Sequence, residues 1–373
     1  MQSVFQRRVR SCTAAKDEKY WEGRSPLSGI SGFLYNILAW INGIVGNYGV
    51  SIIIFTFLMR MVCMPFDYKS RKGMRKMALI QPKLNALQQK YGNDKQKLQQ
   101  KQAELMRKEG YNPLSGCLPM LLTWPLMIAM FSAMRDIANE QLVLQAFRYI
   151  AGEADVIMAD EKFLWVKNLW MTDSFFAPSL PDVNSLRVVP FAVWQRAFAA
   201  MQGNEQMFAN FNQVCQNAGI VINAESFVSA DTLNATLDLI ASKNLLGTPQ
   251  YVPGMENVSF ILFSISVFQN FNGLLILPVL AGVTQVLQTK FMNAQQPQQP
   301  AANGANPNQG KFMKWFFPCL SVFFCLSSNA GFALYWVISS VVSSVQGIVI
   351  NKILEKKDGE KKEENIIGKG SVK

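Results

Sequence analysis

Arg60 is the fourteenth residue of NYGVSIIIFTFLMRMVCMPF at 47–66, a run with no other charge. An ionised side chain in hydrocarbon costs several kcal/mol unless it is hydrated or paired. The chain's other long apolar runs hold no acidic residue to pair with it. Arg60 therefore either snorkels toward one membrane surface or faces a wet cavity. Polar residues at helical spacing supply the walls of such a cavity. Thr56 sits four residues before Arg60, Gln285 and Gln288 are three apart in a later run, and Trp336 and Ser339 are three apart in the last one. Each type also serves as an ordinary interhelical hydrogen-bonding residue. Together they predict a polar groove open to the cytoplasm. Its chemistry is electrostatic: an arginine there attracts an acidic or polar chain segment partway across the bilayer, which lowers the barrier to moving a short hydrophilic tail outward.

Covalent chemistry finds little support. There is no histidine, which removes histidine-based acid/base catalysis, nucleophile pairs and metal ligation. The six cysteines (Cys12, Cys63, Cys117, Cys215, Cys319, Cys325) form no C-x-x-C pair, and four lie in apolar runs. They read as small apolar residues rather than as a disulfide framework or metal cluster. No cofactor, metal site or enzymatic activity is expected.

The groove residues need elements to carry them. Half the residues are apolar and 16% charged, with the apolar ones bunched. Runs of roughly 20 apolar residues are span candidates. The sequence predicts an all-α integral membrane protein with five transmembrane helices, at 47–66, 113–135, 273–292, 312–328 and 332–350. The last two are separated at Ser-Ser-Asn-Ala-Gly, 327–331. Residues 28–46 are apolar but interrupted by Asn and Gly, and predict an interfacial helix, with a sixth span as the alternative.

Charge sets the orientation. Segment 67–112 carries twelve basic and four acidic residues, net +8, against six basic and thirteen acidic in 136–257, net −7. The positive-inside rule puts 67–112 and the tail 351–373 in the cytoplasm and 136–272 outside, with an external N-terminus. The N-terminal segment 1–27 runs against this, since Arg7, Arg8, Arg10, Lys16, Lys19 and Arg24 would be exported without an apolar leader before Cys12.

Within 67–112, apolar residues recur three, four or seven apart, and Tyr-Gly-Asn-Asp at 91–94 signals a turn with Asn93 or Asp94 as helix cap. This predicts a basic helical hairpin, with Pro82 opening or kinking a helix. Lys69, Lys72 and Lys76 are its candidate capture residues, for anionic lipid headgroups or an emerging chain and its ribosome. No aromatics interleave with the basic residues, so specific nucleic-acid recognition is not expected. Segment 293–311 is a low-complexity linker and the tail reads as disordered. Segment 136–272 is acidic yet rich in Trp and Phe, with helical stretches near 190–219 and 224–243, and predicts a small ordered external subdomain. Its end, 258–272, reads as interfacial.

Five stretches resemble the YidC family of membrane-protein insertases: NYGVSIIIFTFLMRMVCMPF at 47–66, QPKLNALQQKYGNDK at 81–95, LMRKEGYNPLSGCLP at 105–119, LPVLAGVTQVLQTK at 277–290 and ALYWVISSVVSSVQ at 333–346. Arg60 matches the family's groove arginine. The resemblance implies a five-helix core with a groove closed on its external side, in the bacterial cell membrane. It implies nascent membrane proteins as substrates, and work alone or beside the Sec translocon without nucleotide. It also implies a slide on the second and fourth spans that greets the substrate helix, here Leu118, Leu122, Met127 and Phe131 with Phe316 and Phe323. The chain departs from the family in having Thr123-Trp124 before Pro125, a long insertion after FLWVKNLWMTD at 163–173, and an acid-rich tail. It is similar to five-span members without the large periplasmic domain.

Two other functions fit such a chain less well. A small-solute transporter or channel would favour an inverted repeat and intramembrane carboxylates, and neither is seen. A purely structural membrane scaffold gives no reason for Arg60.

Overall fold

The computed structural model describes residues 26–110, 114–153, 157, 160–246, 255–259, 264–293 and 307–370. The N-terminal arginines and most of the 293–311 linker lie outside these. The described chain is helical apart from one antiparallel hairpin, and it forms two compact units.

The first unit takes in residues up to Phe55, Met127–Leu280 and Val322–Trp336. It begins with α1 (Pro26–Val45), the predicted interfacial helix. Helix α2 (Tyr48–Tyr91) then runs 44 residues without a break and contributes its first turns here. Helix α4 (Leu114–Ile150) passes well beyond the predicted end of the second span at 135. After it come α5 (Val183–Arg187), α6 (Phe191–Gln202), α7 (Glu205–Asn217), a 3-10 turn (Ala224–Phe227) and α8 (Ala230–Ser242). Local signals fix these short helices. Asn204 caps α7, and Ser229 with Thr232 forms a reciprocal capping box on α8.

Their apolar faces meet around one ring. Phe147, from the C-terminal end of α4, is fully buried, with Trp194, Phe198, Phe211 and Phe227 at centroid distances of 5.6, 5.9, 5.5 and 5.9 Å. Trp194 stacks on Phe227 at 5.5 Å. The predicted subdomain is thus ordered, but its core is completed by a residue outside the 174–257 insertion. Segment 258–272 carries a turn of sheet that its apolar, β-branched residues favour. Strand β1 (Met255–Ser259) pairs antiparallel with β2 (Ser264–Phe268), Met255 opposite Phe268 and Ser259 opposite Ser264.

The second unit holds Thr56–Leu126, Ala281–Ser321 and Val337–Lys373. Helix α2 ends at the predicted turn, and Asp94 caps α3 (Lys95–Lys108) by accepting from Lys97 N at 3.1 Å. The hairpin closes on Ile80 and Leu84 with Met77, Leu105 and Met106. Pro65 and Pro82 both lie inside α2, so Pro82 does not open a new helix. Each costs one backbone bond, to Met61 and Ala78 respectively, and the rest of the ladder holds. The unit also receives much of α9 (Ile276–Asn293), α10 (Pro307–Ser327) and α11 (Ala330–Gly370). Helix α11 corrects the reading of the tail as disordered, since the helix continues through it to Gly370. Alternating Lys and Glu at helical spacing support such an extension.

Among the described residues, two helices are long and apolar enough to cross a membrane, α2 and the 330–357 part of α11. Residues 29–45 and 315–327 form shorter apolar helices.

Candidate substrate groove and external clamp

Arg60 is half-buried on α2 in the second unit. Its Nε donates to Ser339 Oγ on α11 at 2.9 Å, and Nη2 donates to the same oxygen. One hydroxyl thus meets a group with five N–H donors. Gln346, two turns further along α11, donates from Nε2 to the Arg60 carbonyl at 3.0 Å. Gln288 on α9 donates to Ser343 Oγ at 3.3 Å, and Gln285 is partly buried one turn before it. Thr56 is fully buried. Of the six predicted groove residues, Arg60 and Ser339 are thus in direct contact, and Gln288 bonds to α11 one turn beyond Ser339. Trp336 belongs to the first unit, where its ring lies 5.8 Å from Phe332 and its buried Nε1 has no hydrogen-bond partner.

Two participants escaped the sequence reading. Gln346 is buried, and its Oε1 has no hydrogen-bond partner. Asp67, just past the predicted end of the first span, interacts electrostatically with both Arg60 and Arg71. Its spacing of seven from Arg60 was the signal that could have revealed it, because two helical turns return to the same face.

The remaining predicted residues distribute as follows. Phe316 and Phe323 on α10 are 40% and 64% exposed, while Met127 and Phe131 on α4 are partly buried. Leu118 and Leu122 lie on α4, with side chains outside the described residues. Lys69 and Lys72 are exposed on α2. Lys76 is committed to the hairpin, donating to Gly110 O at 2.8 Å, beside the Lys83–Glu109 pair at 2.5 Å.

In the first unit, segment 163–173 forms a polar clamp that the sequence did not reveal. Asp173 is fully buried, and its two carboxylate oxygens accept from Leu274 N at 2.8 Å, Leu277 N at 2.7 Å and Trp165 Nε1 at 3.2 Å. It thereby caps the start of α9, where amide donors are otherwise orphaned. Asn272 accepts from Asn168 N at 2.7 Å and donates to Asn168 O and Thr172 O. Asn168 exchanges amide bonds with Gln145 on α4. Ala330 N and Gly331 N, at the start of α11, donate to Met171 O and Leu169 O, both at 2.8 Å. One short segment therefore holds α4, α9 and α11 by their ends. Nearby, Glu161 accepts from Trp170 Nε1 at 2.6 Å, and burial pushes its carboxyl up to about 7.

A helical chain with an arginine-bearing apolar helix, a basic hairpin and clamped helix ends defines a class of integral membrane protein. The family model described as 60Kd inner membrane protein matches residues 40–239 and 206–358, and the chain belongs to this family. Among relatives, the membrane protein insertase YidC of Pelodictyon phaeoclathratiforme is 34% identical over 180 residues, 46% of this chain and 28% of that protein. That of Anaeromyxobacter dehalogenans is 37% identical over 145 residues, 39% of this chain and 23% of that protein. That of Aromatoleum aromaticum is 44% identical over 105 residues, 28% of this chain and 19% of that protein. The matched region spans under a third of each of these relatives' length. The resemblance carried by the five sequence stretches is borne out at the level of the family.

Proposed function

We propose that the chain is a membrane-protein insertase and chaperone of a bacterial cell membrane. It moves short polar tails of substrate proteins across the bilayer and releases their apolar helices into lipid. The observation that carries this reading is Arg60: a charge within an apolar helix, half-buried, met by the Ser339 hydroxyl and flanked by further polar side chains. Attraction between such a guanidinium and a carboxylate in a partly wet cavity is worth on the order of a few kcal/mol at close approach. That changes a transfer rate by orders of magnitude.

In this reading five spans cross the bilayer, the hairpin and tail are cytoplasmic, and 136–272 is external. Exposed Lys69 and Lys72 meet anionic headgroups or an emerging chain, and the exposed rings of Phe316 and Phe323 offer an apolar surface to the substrate helix. Nascent membrane proteins are the substrates, with the ribosome and the Sec translocon as partners.

The test reconstitutes the protein in liposomes with a single-span substrate and follows protease protection of a tagged tail. Arg60→Ala abolishes insertion of acidic tails, and Arg60→Lys, which keeps the charge without the fork, retains much of it. Equal insertion of acidic tails by wild type and Arg60→Ala overturns the mechanism.

A further inference from the structure

Three charged residues share one face of α2. Asp67 is seven and Arg71 eleven residues after Arg60, so at 100° per residue all three fall within about 40° of one line. Asp67 interacts electrostatically with both arginines. Arg71 lies flat against α11 at Gly347, where a Cβ would stand 2.8 Å from its Cζ and 3.1 Å from its Nη1. A side chain at this position would push the guanidinium off this seat. One residue before Gly347, Gln346 is 5% exposed and carries the unpartnered Oε1. The next arginine, Arg75, is differently placed. It donates to Asn351 O at 3.3 Å and has Glu355 at 3.9 Å. Among the described residues Arg71 makes no such ion pair.

We propose that Arg71, cradled on Gly347, is a second station for carboxylates of the substrate tail, about 16 Å along the helix from Arg60, and that Asp67 is the counter-ion those carboxylates exchange against. This rests on the insertase reading above. The resting stripe, plus–minus–plus, needs only one carboxylate from outside to become neutral. An incoming acid therefore meets arginines already partly compensated by Asp67 instead of crossing an uncompensated field. The exchange explains why an acid sits between two arginines that would each bind substrate better without it. It selects acidic tails over basic ones, which Arg71 repels at entry. Gln346 Oε1 adds an acceptor for a backbone N–H of a tail lying along the stripe.

The test measures the ratio of acidic-tailed to neutral-tailed substrate inserted at limiting substrate, in vesicles of phosphatidylcholine alone and with added phosphatidylglycerol. Arg71→Gln lowers that ratio about fivefold in both vesicle types, as expected for losing one solvent-screened charge pair, and Arg71→Lys restores most of it. Asp67→Asn raises the ratio severalfold. Gly347→Leu, which displaces Arg71 without altering any charge, reproduces Arg71→Gln. Thermal unfolding of each purified variant identifies any that is misfolded, and the Asp67→Asn gain is one that misfolding cannot mimic. If Arg60→Ala abolishes acidic-tail insertion while none of these variants moves the ratio, the second station is overturned and the insertase reading stands. If the Arg71 effect is confined to phosphatidylglycerol vesicles, the arginine binds lipid headgroups and the proposal is likewise overturned. If Arg60→Ala itself has no effect, it is the underlying reading that fails.

Discussion

The clamp at 163–173 and the stripe around Arg60 treat buried polar groups in opposite ways. In the clamp, both oxygens of Asp173 are used, Asn272 is bonded at both ends of its amide, and Asn168 is bonded to Gln145, Ser179 and the Trp170 amide. Around Arg60 the guanidinium has one serine hydroxyl, and Gln346 Oε1 has nothing. Matched groups make a fixed scaffold, because every displacement breaks a bond that low dielectric has strengthened. Unmatched groups retain a cost that a ligand can relieve. The first arrangement holds helix ends still, and the second leaves hydrogen-bonding capacity unused.

That contrast is open to direct attack. The largest expected effect is Asp173→Ala, which leaves one buried and two part-buried donors without their acceptor and costs about 4 kcal/mol of stability. The corresponding change at the other region, Ser339→Ala, costs under about 1 kcal/mol, because it removes one acceptor atom from a half-buried guanidinium. Thermal unfolding of the purified protein compares the two directly. Equal losses would erase the distinction between scaffold and stripe.

Phe147→Ala follows, with a loss of about 3 kcal/mol from the cavity left among four aromatic rings. Limited proteolysis reads this as faster cleavage within 174–246. The same geometry predicts that 174–246 expressed alone melts without cooperativity, and that extending it back to residue 136 restores a transition. Cooperative melting of the shorter piece would show that Phe147 is dispensable to the aromatic core.

A comparable effect, confined to one pH window, concerns Glu161. Glu161 has its folded carboxyl raised to about 7 from the ordinary 4.5. The folded state therefore holds a proton that the unfolded state releases. Its favourable contribution is complete below about 4.5 and is lost as pH rises to about 7, a change of up to about 3 kcal/mol. Protection factors of the amides around Trp170, corrected for the intrinsic pH dependence of exchange, fall across that window, and Glu161→Gln makes them independent of pH there. An unchanged profile in Glu161→Gln would assign the pH response to another group.

What the sequence made legible was local. The turn at 91–94, the Asp94 cap and the hairpin's apolar face all follow from residues within a few positions of each other. Arg60 stood out because it is the one charge in its run. The clamp was illegible because Asp173 meets its partners about a hundred residues away, at Leu274 and Leu277. No periodicity marks such a pairing, and polar residues among aromatics read as an ordinary external loop. The long α2 was hidden for a different reason. Pro65 and Pro82 are usual stop signals, yet each removes only one bond from a 44-residue ladder. The β1–β2 hairpin was missed because its short apolar run fits an interfacial segment equally well.

Phe147 also bears on the order in which the molecule is made. Its ring partners Trp194, Phe198, Phe211 and Phe227 lie within 33 residues of one another, whereas Phe147 and Phe227 are 80 residues apart. Closing that longer loop costs about 4 kcal/mol of chain entropy, a cost met only after α6, α7 and α8 have packed together. The contact between Phe147 and Phe227 is thus the one in this cluster with the largest loop to close. Phe147 gains Trp194 and Phe198 as ring partners 47 and 51 residues further along the chain, but its ring stays open on the Phe227 side until residue 227 has been made.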